Sequence, residues 1–333
     1  MCFPRSSTTL RDLNDDIEYY MDLSIAASTK QTYTSGEKRF LDFLALYRPA
    51  TANSLPVNEE TLIQYAAFLA RSVKFSSIKN YLAAVRHIHL KRGFRLDLKN
   101  FHRLQLVCRG IKRAQGTSTR IRLPITIKHL RLFHCLLALS STSNHDSLMI
   151  WAAMTLAFFG FLRLGELTCN SNFSSDIHLT LDDISFLPSF RNSDYLSVRI
   201  KVSKTDPFRS GQTIIIGKTN QLICPVEAMK KYIPLRGTSR GPLFLYVKGS
   251  PLTKQALTSE TRNLLSLSGF NPGNYAGHSY RIGAATTAAS VGIPPWLIKT
   301  LGRWSSDCYE RYIKCPHSLL FEVSGKLVGD IYN

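Results

Sequence analysis

The sequence predicts a mainly α-helical protein of two units, with one small antiparallel β-sheet in the second unit. Three observations carry that expectation. Apolar residues recur at helical spacing in two blocks, a polar and basic stretch closed by Pro124 parts those blocks, and around Leu196–Val202 the apolar period shortens to two. A length of 333 residues with 44% hydrophobic content is enough for two cores.

Taken in order, residues 1–15 read as a flexible tail. Ser28 and Gln31 resemble a capping box opening a helix that presents Tyr33, Phe40, Leu44 and Tyr47 near one face. Asn58 is placed to cap a second helix burying Leu62, Tyr65, Ala66 and Leu69. Ser76 or Ser77 is expected to cap a third, with Ile78, Leu82, Val85 and Leu90 inward and Gly93 at its end. A short helix around Leu104–Ala114 completes a helical unit over 16–115, and 116–124 is the linker. In the second unit, 125–333, Thr126 starts a helical region leading to the most apolar run, Leu148–Leu162. That run has 15 residues, short for a bilayer, so it reads as a buried helix. The alternation Leu196, Val198, Ile200, Val202 marks a strand, and QTIIIG after a turn-rich connection is its returning partner. Helices then resume.

The charge is lopsided: 42 Lys and Arg stand against 23 Asp and Glu, a formal net charge of +19. Between Arg71 and Arg122 lie 14 basic residues and a single acid, Asp97. Such a patch points to a polyanion, nucleic acid ahead of a membrane surface, bound tightly and salt-sensitively through its phosphates. Lys74, Lys79, Arg86, Lys91, Arg92, Arg109, Lys112 and Arg113 are its candidate contacts. The seven cysteines are scattered and form no CxxC pair, which argues against a disulfide framework and a zinc site. With no signal-type N-terminus, a soluble intracellular protein is expected.

Several residues ask for more than packing. Arg163 ends a strongly apolar helix, with Glu166 at i+3 to orient it. Lys204 closes a strand at a hairpin. His278 and Arg281 share a face of a helix start, where backbone N–H groups and a guanidinium attract phosphate. Trp304 offers an indole donor, and Tyr309 and Tyr312 follow it. Individually, each is also readable as a capping, packing or solvated residue.

The order Arg, Lys, H-x-x-R, Trp, Tyr resembles the tyrosine recombinases of the phage-integrase and Cre superfamily. The ending LGRWSSDCYERYI and the hairpin SKTDPFRSG most resemble recombinases of eukaryotic mobile elements of the DIRS, Ngaro and Crypton kinds. The resemblance extends over almost the whole chain, with SSIKNYLAAVRHIHLKRGF its most recognisable N-terminal piece. It implies a two-domain clamp on double-stranded DNA: a core-binding domain over 16–115 and a catalytic domain over 125–333. It assigns Arg163, Lys204, His278, Arg281, Trp304 and Tyr312 to catalysis, with Glu166 in support and Tyr312 as nucleophile. Tyr312 stands one residue closer to Trp304 than in many relatives, and Tyr309 is its rival. The implied reaction is strand exchange through a 3′-phosphotyrosine, for integration or excision, with no metal or other cofactor. A homo-oligomer, dimer to tetramer, would assemble on DNA, with Leu319, Leu320, Val323, Leu327 and Ile331 on a tail helix docking into a neighbour. Nuclear residence follows if the chain is eukaryotic. A catalytically silent DNA-binding derivative and a type IB topoisomerase are the alternatives.

Overall fold

The structure, a computed structural model, describes residues 13–49, 55–116, 122–140, 143–170, 172–204 and 206–313, apart from the side chains of Cys308, Arg311 and Tyr312. The chain divides into two units, one running to Thr119 and the other starting at Arg120. The expected tail helix, with Leu319 through Ile331, lies outside the described residues.

Among the described residues of the first unit are the α-helices α1 (Leu13–Leu23), α2 (Ala27–Tyr47), α3 (Glu59–Ala70), α4 (Phe75–Lys91) and α5 (His102–Gln115). Its core joins Phe40, Phe43, Leu44, Leu62, Tyr65, Leu69, Ile78, Leu82, Val85 and Leu104. Asn58 caps α3, its side chain accepting from Thr61 N at 3.0 Å. Two expected caps are corrected. A tight turn after α1 starts α2 at Ala27, so Ser28 and Gln31 lie inside the helix. Helix α4 likewise begins before Ser76 and Ser77, because Gln115 Oε1, 40 positions away on α5, accepts from Phe75 N at 2.7 Å. The tail expected through residue 15 is helical from Leu13, and Leu90 is exposed rather than inward.

Helix α1 has no buried residue and is tethered by charge. Lys91 on α4 pairs with Glu18 at 2.8 Å and Asp22 at 3.1 Å, and Lys30 on α2 pairs with Asp22 at 2.5 Å. Inside the unit, His89 is fully buried and its tautomer follows from its partners: Nδ1–H donates to Val85 O (2.7 Å) while Nε2 accepts from Val57 N (3.0 Å).

The second unit begins with Thr126 at the start of α6 (Ile127–Leu139). Helix α7 (Asn144–Phe159) carries the apolar run and is buried from Met149 through Phe158, as a helix apolar on all sides must be. It ends in a reversal, with Phe161 in the left-handed region (φ 50°) and Leu162 N donating to Ala157 O at 3.0 Å. The short α8 (Leu164–Leu167) follows. The sheet has three antiparallel strands in the order β1 (Ile184–Leu187), β2 (Tyr195–Ile200), β3 (Gln212–Gly217), with Val198 opposite both Ile184 and Ile214. Strand β1 was not expected, and β2 stops before Val202. Helices α9 (Pro225–Arg236), α10 (Lys254–Leu267), α11 (Ser279–Ser290) and α12 (Pro295–Leu301) complete the unit, and a 3-10 turn over Asp307–Tyr312 follows. No helix among the described residues is long and apolar enough to cross a membrane.

Gly283 lets α11 press against the segment entering α6. A Cβ there would lie 1.7 Å from Ile125 O, and Ile125 N is itself fixed to Ser279 O at 2.9 Å. Gly283→Ala should therefore cost about 1–3 kcal/mol by overpacking. Gly110→Ala, on α5 with open space around it, should gain roughly 0.5–1 kcal/mol. Thermal melting of both variants, with downward and upward shifts respectively, checks this contrast.

Candidate active site

The reversal after α7 places Arg163 beyond the helix, in extended conformation at the start of α8, and not at the helix end as its sequence position suggested. Glu166, buried, holds it twice. Arg163 N donates to Oε2 at 2.9 Å, and Arg163 Nη1 donates to Oε1 at 2.8 Å. The same carboxylate accepts from Arg303 Nη2 at 2.7 Å. Glu166 is thus the junction of two guanidinium groups, a charge-assisted arrangement.

Arg281, one turn into α11, is completely buried. Its Nη1 donates to Phe161 O at 2.6 Å and its Nη2 to Gly302 O. The Trp304 ring covers the guanidinium, 4.2 Å from ring centroid to Cζ. Gly302 is required beneath that ring, since a Cβ there would fall 1.6 Å from Trp304 Cζ3. Three consecutive residues thus serve two groups: Gly302 accepts from Arg281 and Trp304 covers it, while Arg303 (φ 54°) reaches Glu166.

His278 stands at the cap of α11 and keeps solvent access. The protein packed around its ring, and then the charges of Lys254, Arg163, Arg281 and Lys204, hold its imidazole below the usual histidine range. It is therefore neutral at pH 7 and able to accept a proton. The charges of four cations from separate parts of the chain thus act on this one ring. Lys204 itself is exposed in the turn after β2. In the same connection, the Asp206 carboxylate accepts from Ser210 N (3.1 Å) and Gly211 N (2.8 Å).

Tyr309 is buried, with its ring 5.8 Å from that of Trp304. Tyr312 closes the 3-10 turn, and its side chain lies outside the described residues. Among the described residues no group of three or more His, Cys, Asp or Glu is placed to hold a metal ion.

Sequence reasoning missed two members of this constellation. Lys254, at the first turn of α10, is exposed and bears on His278. Arg303 lay in full view within LGRW, but its partner Glu166 is 137 positions away, and no local pattern announces such a pair.

In the first unit, Lys74, Lys79, Arg86, Arg92, Arg109, Lys112 and Arg113 are exposed. Lys91 departs from the expectation: it is half-buried, and its charge is committed to Glu18 and Asp22.

No known family's sequence model matches the chain. An "Integrase/recombinase xerD homolog" from Selenomonas ruminantium is 27% identical over 304 residues, covering 88% of this chain and 83% of that protein. Among solved structures, the XerH site-specific recombinase bound to palindromic difH substrate in a post-cleavage complex matches with a TM-score of 0.63 at 15% identity, covering 96% and 90% of the two chains. The Tn1549 transposon integrase in complex with transposon right end DNA matches with a TM-score of 0.59 at 15% identity, covering 92% and 95%. A lambda integrase dimer bound to a core site matches at 0.55 and 17%, covering 91% and 77%. These likenesses show the fold, which in this chain is mainly helical with one small antiparallel sheet.

The cations around His278 give a pH prediction. Because its folded pKa is depressed, the unfolded chain takes up a proton near pH 6.5 that the folded chain refuses, so stability falls as pH drops through that value. His278→Gln should remove this share of the acid destabilisation. By NMR of the ring, the His278 midpoint should lie below the usual value and rise in Lys254→Met.

Proposed function

We propose that this chain is a tyrosine recombinase that cuts and rejoins DNA strands through a 3′-phosphotyrosine. The observation that carries the reading is the frame that fixes Arg163 on Glu166 and Arg281 on Phe161 O, Gly302 O and the Trp304 ring, with His278, kept neutral in part by the charges of Arg163, Lys204, Lys254 and Arg281, at the cap of α11. A neutral base acted on by cations suits a reaction that concentrates negative charge at a phosphate and must also remove a tyrosine proton. The curated relative and the DNA-bound recombinases of the same fold support the family and the activity.

In this mechanism the Tyr312 oxygen attacks the phosphorus of a DNA phosphodiester, and His278 accepts the hydroxyl proton. An ordinary tyrosine, with a pKa of about 10, needs that help near neutral pH. Arg163, partly exposed and held by Glu166, donates to the non-bridging oxygens as charge builds on them. Arg281 is already bonded to two carbonyls, so it acts as a fixed positive charge beneath the phosphate. Trp304 keeps it there through its ring face. The bond to the 5′ oxygen breaks, and Lys204 on its turn supplies the proton. A 5′-hydroxyl of another strand then attacks the phosphotyrosine and releases the enzyme, which conserves the bond without a cofactor. Tyr309, packed on Trp304, is assigned to the core rather than to chemistry.

Lys74, Lys79, Arg86, Arg92, Arg109, Lys112 and Arg113 are proposed to contact DNA phosphates, with Lys91 left out of that set. Assembly as a dimer or tetramer on DNA, a mobile-element role of the DIRS, Ngaro or Crypton kind, and nuclear residence belong to the same proposal. The last two rest on the LGRW ending and the hairpin motif alone.

The test uses DNA selected for binding from a random-sequence pool, nicked beside each phosphate so that cleaved product is trapped. Wild type should give an SDS-resistant adduct mapped by peptide mass to Tyr312, and Tyr312→Phe should bind the DNA and give none. Tight binding without any adduct would favour a catalytically silent DNA-binding protein. Arg163→Ala should slow adduct formation by roughly 10²–10³ while leaving affinity within a few fold. The Lys204→Ala defect should be relieved by a 5′-bridging sulfur leaving group, which needs no proton, and persistence of the defect would remove Lys204 from the role of acid.

A further inference from the structure

Arg303 is costly where it stands. Its side chain is 4% exposed, and burial of the guanidinium pulls its pKa below the usual arginine value against the opposing pull of Glu166. Its Nε and Nη1 are buried with no hydrogen-bond partner among the described residues, leaving Nη2 to Glu166 as the bond that balances the charge. An apolar side chain would fill the same space without that desolvation. Packing therefore does not account for an arginine here, and its backbone, at φ 54°, adds local strain.

What the arginine does follows from its partner. Each Glu166 oxygen has two lone pairs. Oε1 accepts from Arg163 Nη1, and Oε2 is shared between Arg163 N and Arg303 Nη2. With Arg303 in place, the carboxylate is pinned from both sides, and the Arg163 guanidinium is held at one edge of it. Without Arg303, Glu166 retains Arg163 as its only described cation, and the two can rotate together or collapse into a closer pair that withdraws Arg163 from the site. Arg303 also lies between Gly302 and Trp304, the two residues that seat Arg281.

We propose that Arg303 is a positioning residue that fixes Glu166 so that Glu166 presents Arg163 to the scissile phosphate. This rests on the recombinase reading for its chemical consequence, but not for its structural content. The buried atoms of Arg303 keep it off the phosphate, so it acts through Arg163.

A double-mutant cycle with two readouts tests it. The first uses the DNA-free protein. Arg163 is one of the cations that depress the His278 midpoint, and a direct effect of the Arg303 charge on that ring would add to that of Arg163 in the cycle. Arg303→Met should raise the His278 midpoint, as Arg163→Met does, and the double variant should match Arg163→Met alone. The second readout is adduct formation at saturating DNA. Arg303→Met should slow it about 10–100-fold, as loss of an outer supporting partner does at other sites, with affinity changed less than 3-fold. Arg303→Lys, which keeps a cation for Glu166, should recover part of the loss. If the midpoint is unmoved in Arg303→Met, or the effects of the two substitutions add, Arg303 has only a structural role and the proposal fails. Should Arg303→Met not fold, Arg303→Lys carries both readouts, and a midpoint and rate equal to those of Arg163→Met would overturn the claim that the cation matters. Failure of wild type to form an adduct on bound DNA would reject the recombinase reading, while the histidine cycle would still decide the role of Arg303.

Discussion

The Glu166 carboxylate, buried and shared by Arg163 and Arg303, is the interaction on which the arrangement of the second unit turns. Two guanidinium groups near one another repel, and a buried cation without a partner is expensive. One carboxylate between them compensates both at once, and it imposes geometry as well, because the fork of an arginine and the plane of a carboxylate fit in few ways. Removal of the carboxylate would leave two uncompensated guanidinium groups in a poorly solvated place, whereas removal of either arginine would leave a neutral pair no longer held from both sides. The chain meets this electrostatic requirement with residues from two widely separated segments, which ties the start of α8 to the turn after α12.

Backbone carbonyls complete the same frame. The left-handed turn at Phe161 ends α7 and leaves its carbonyl to accept from Arg281. The turn at Gly302 supplies the second acceptor, and the ring of Trp304 closes over the guanidinium. An arginine with no solvent exposure is thereby held by groups that carry no net charge. The two carbonyls and the ring together fix where that guanidinium sits. The contrast with Arg303, whose charge is spent on Glu166, explains how two buried arginines of one site can serve different ends.

The parts of the fold visible in the sequence were those set by local chemistry. Asn58 and Thr126 announce their helices because a cap is a contact over three residues, and α7 is legible because an apolar run has one home. Ser28 and Ser76 misled for a related reason: the groups that start α2 and α4 are a preceding tight turn and Gln115 from another helix. Strand β1 has only 4 residues, too few for its alternation to stand out. At the site, the motif residues were proposed from their order along the chain. Lys254 and the Arg303–Glu166 pair were not, since folding alone brings them to their partners.

Helix α1 alters how the basic first unit meets a polyanion. Glu18 and Asp22 already pair with Lys91, so that lysine has less charge left with which to neutralise a phosphate. Counterion release on duplex DNA scales with the phosphates actually neutralised, at about 0.9 in the logarithmic salt slope for each. The tally of basic residues in the sequence therefore overstates the ionic footprint of the unit. The acidic helix acts as an internal counterion, and it sets that footprint by subtraction.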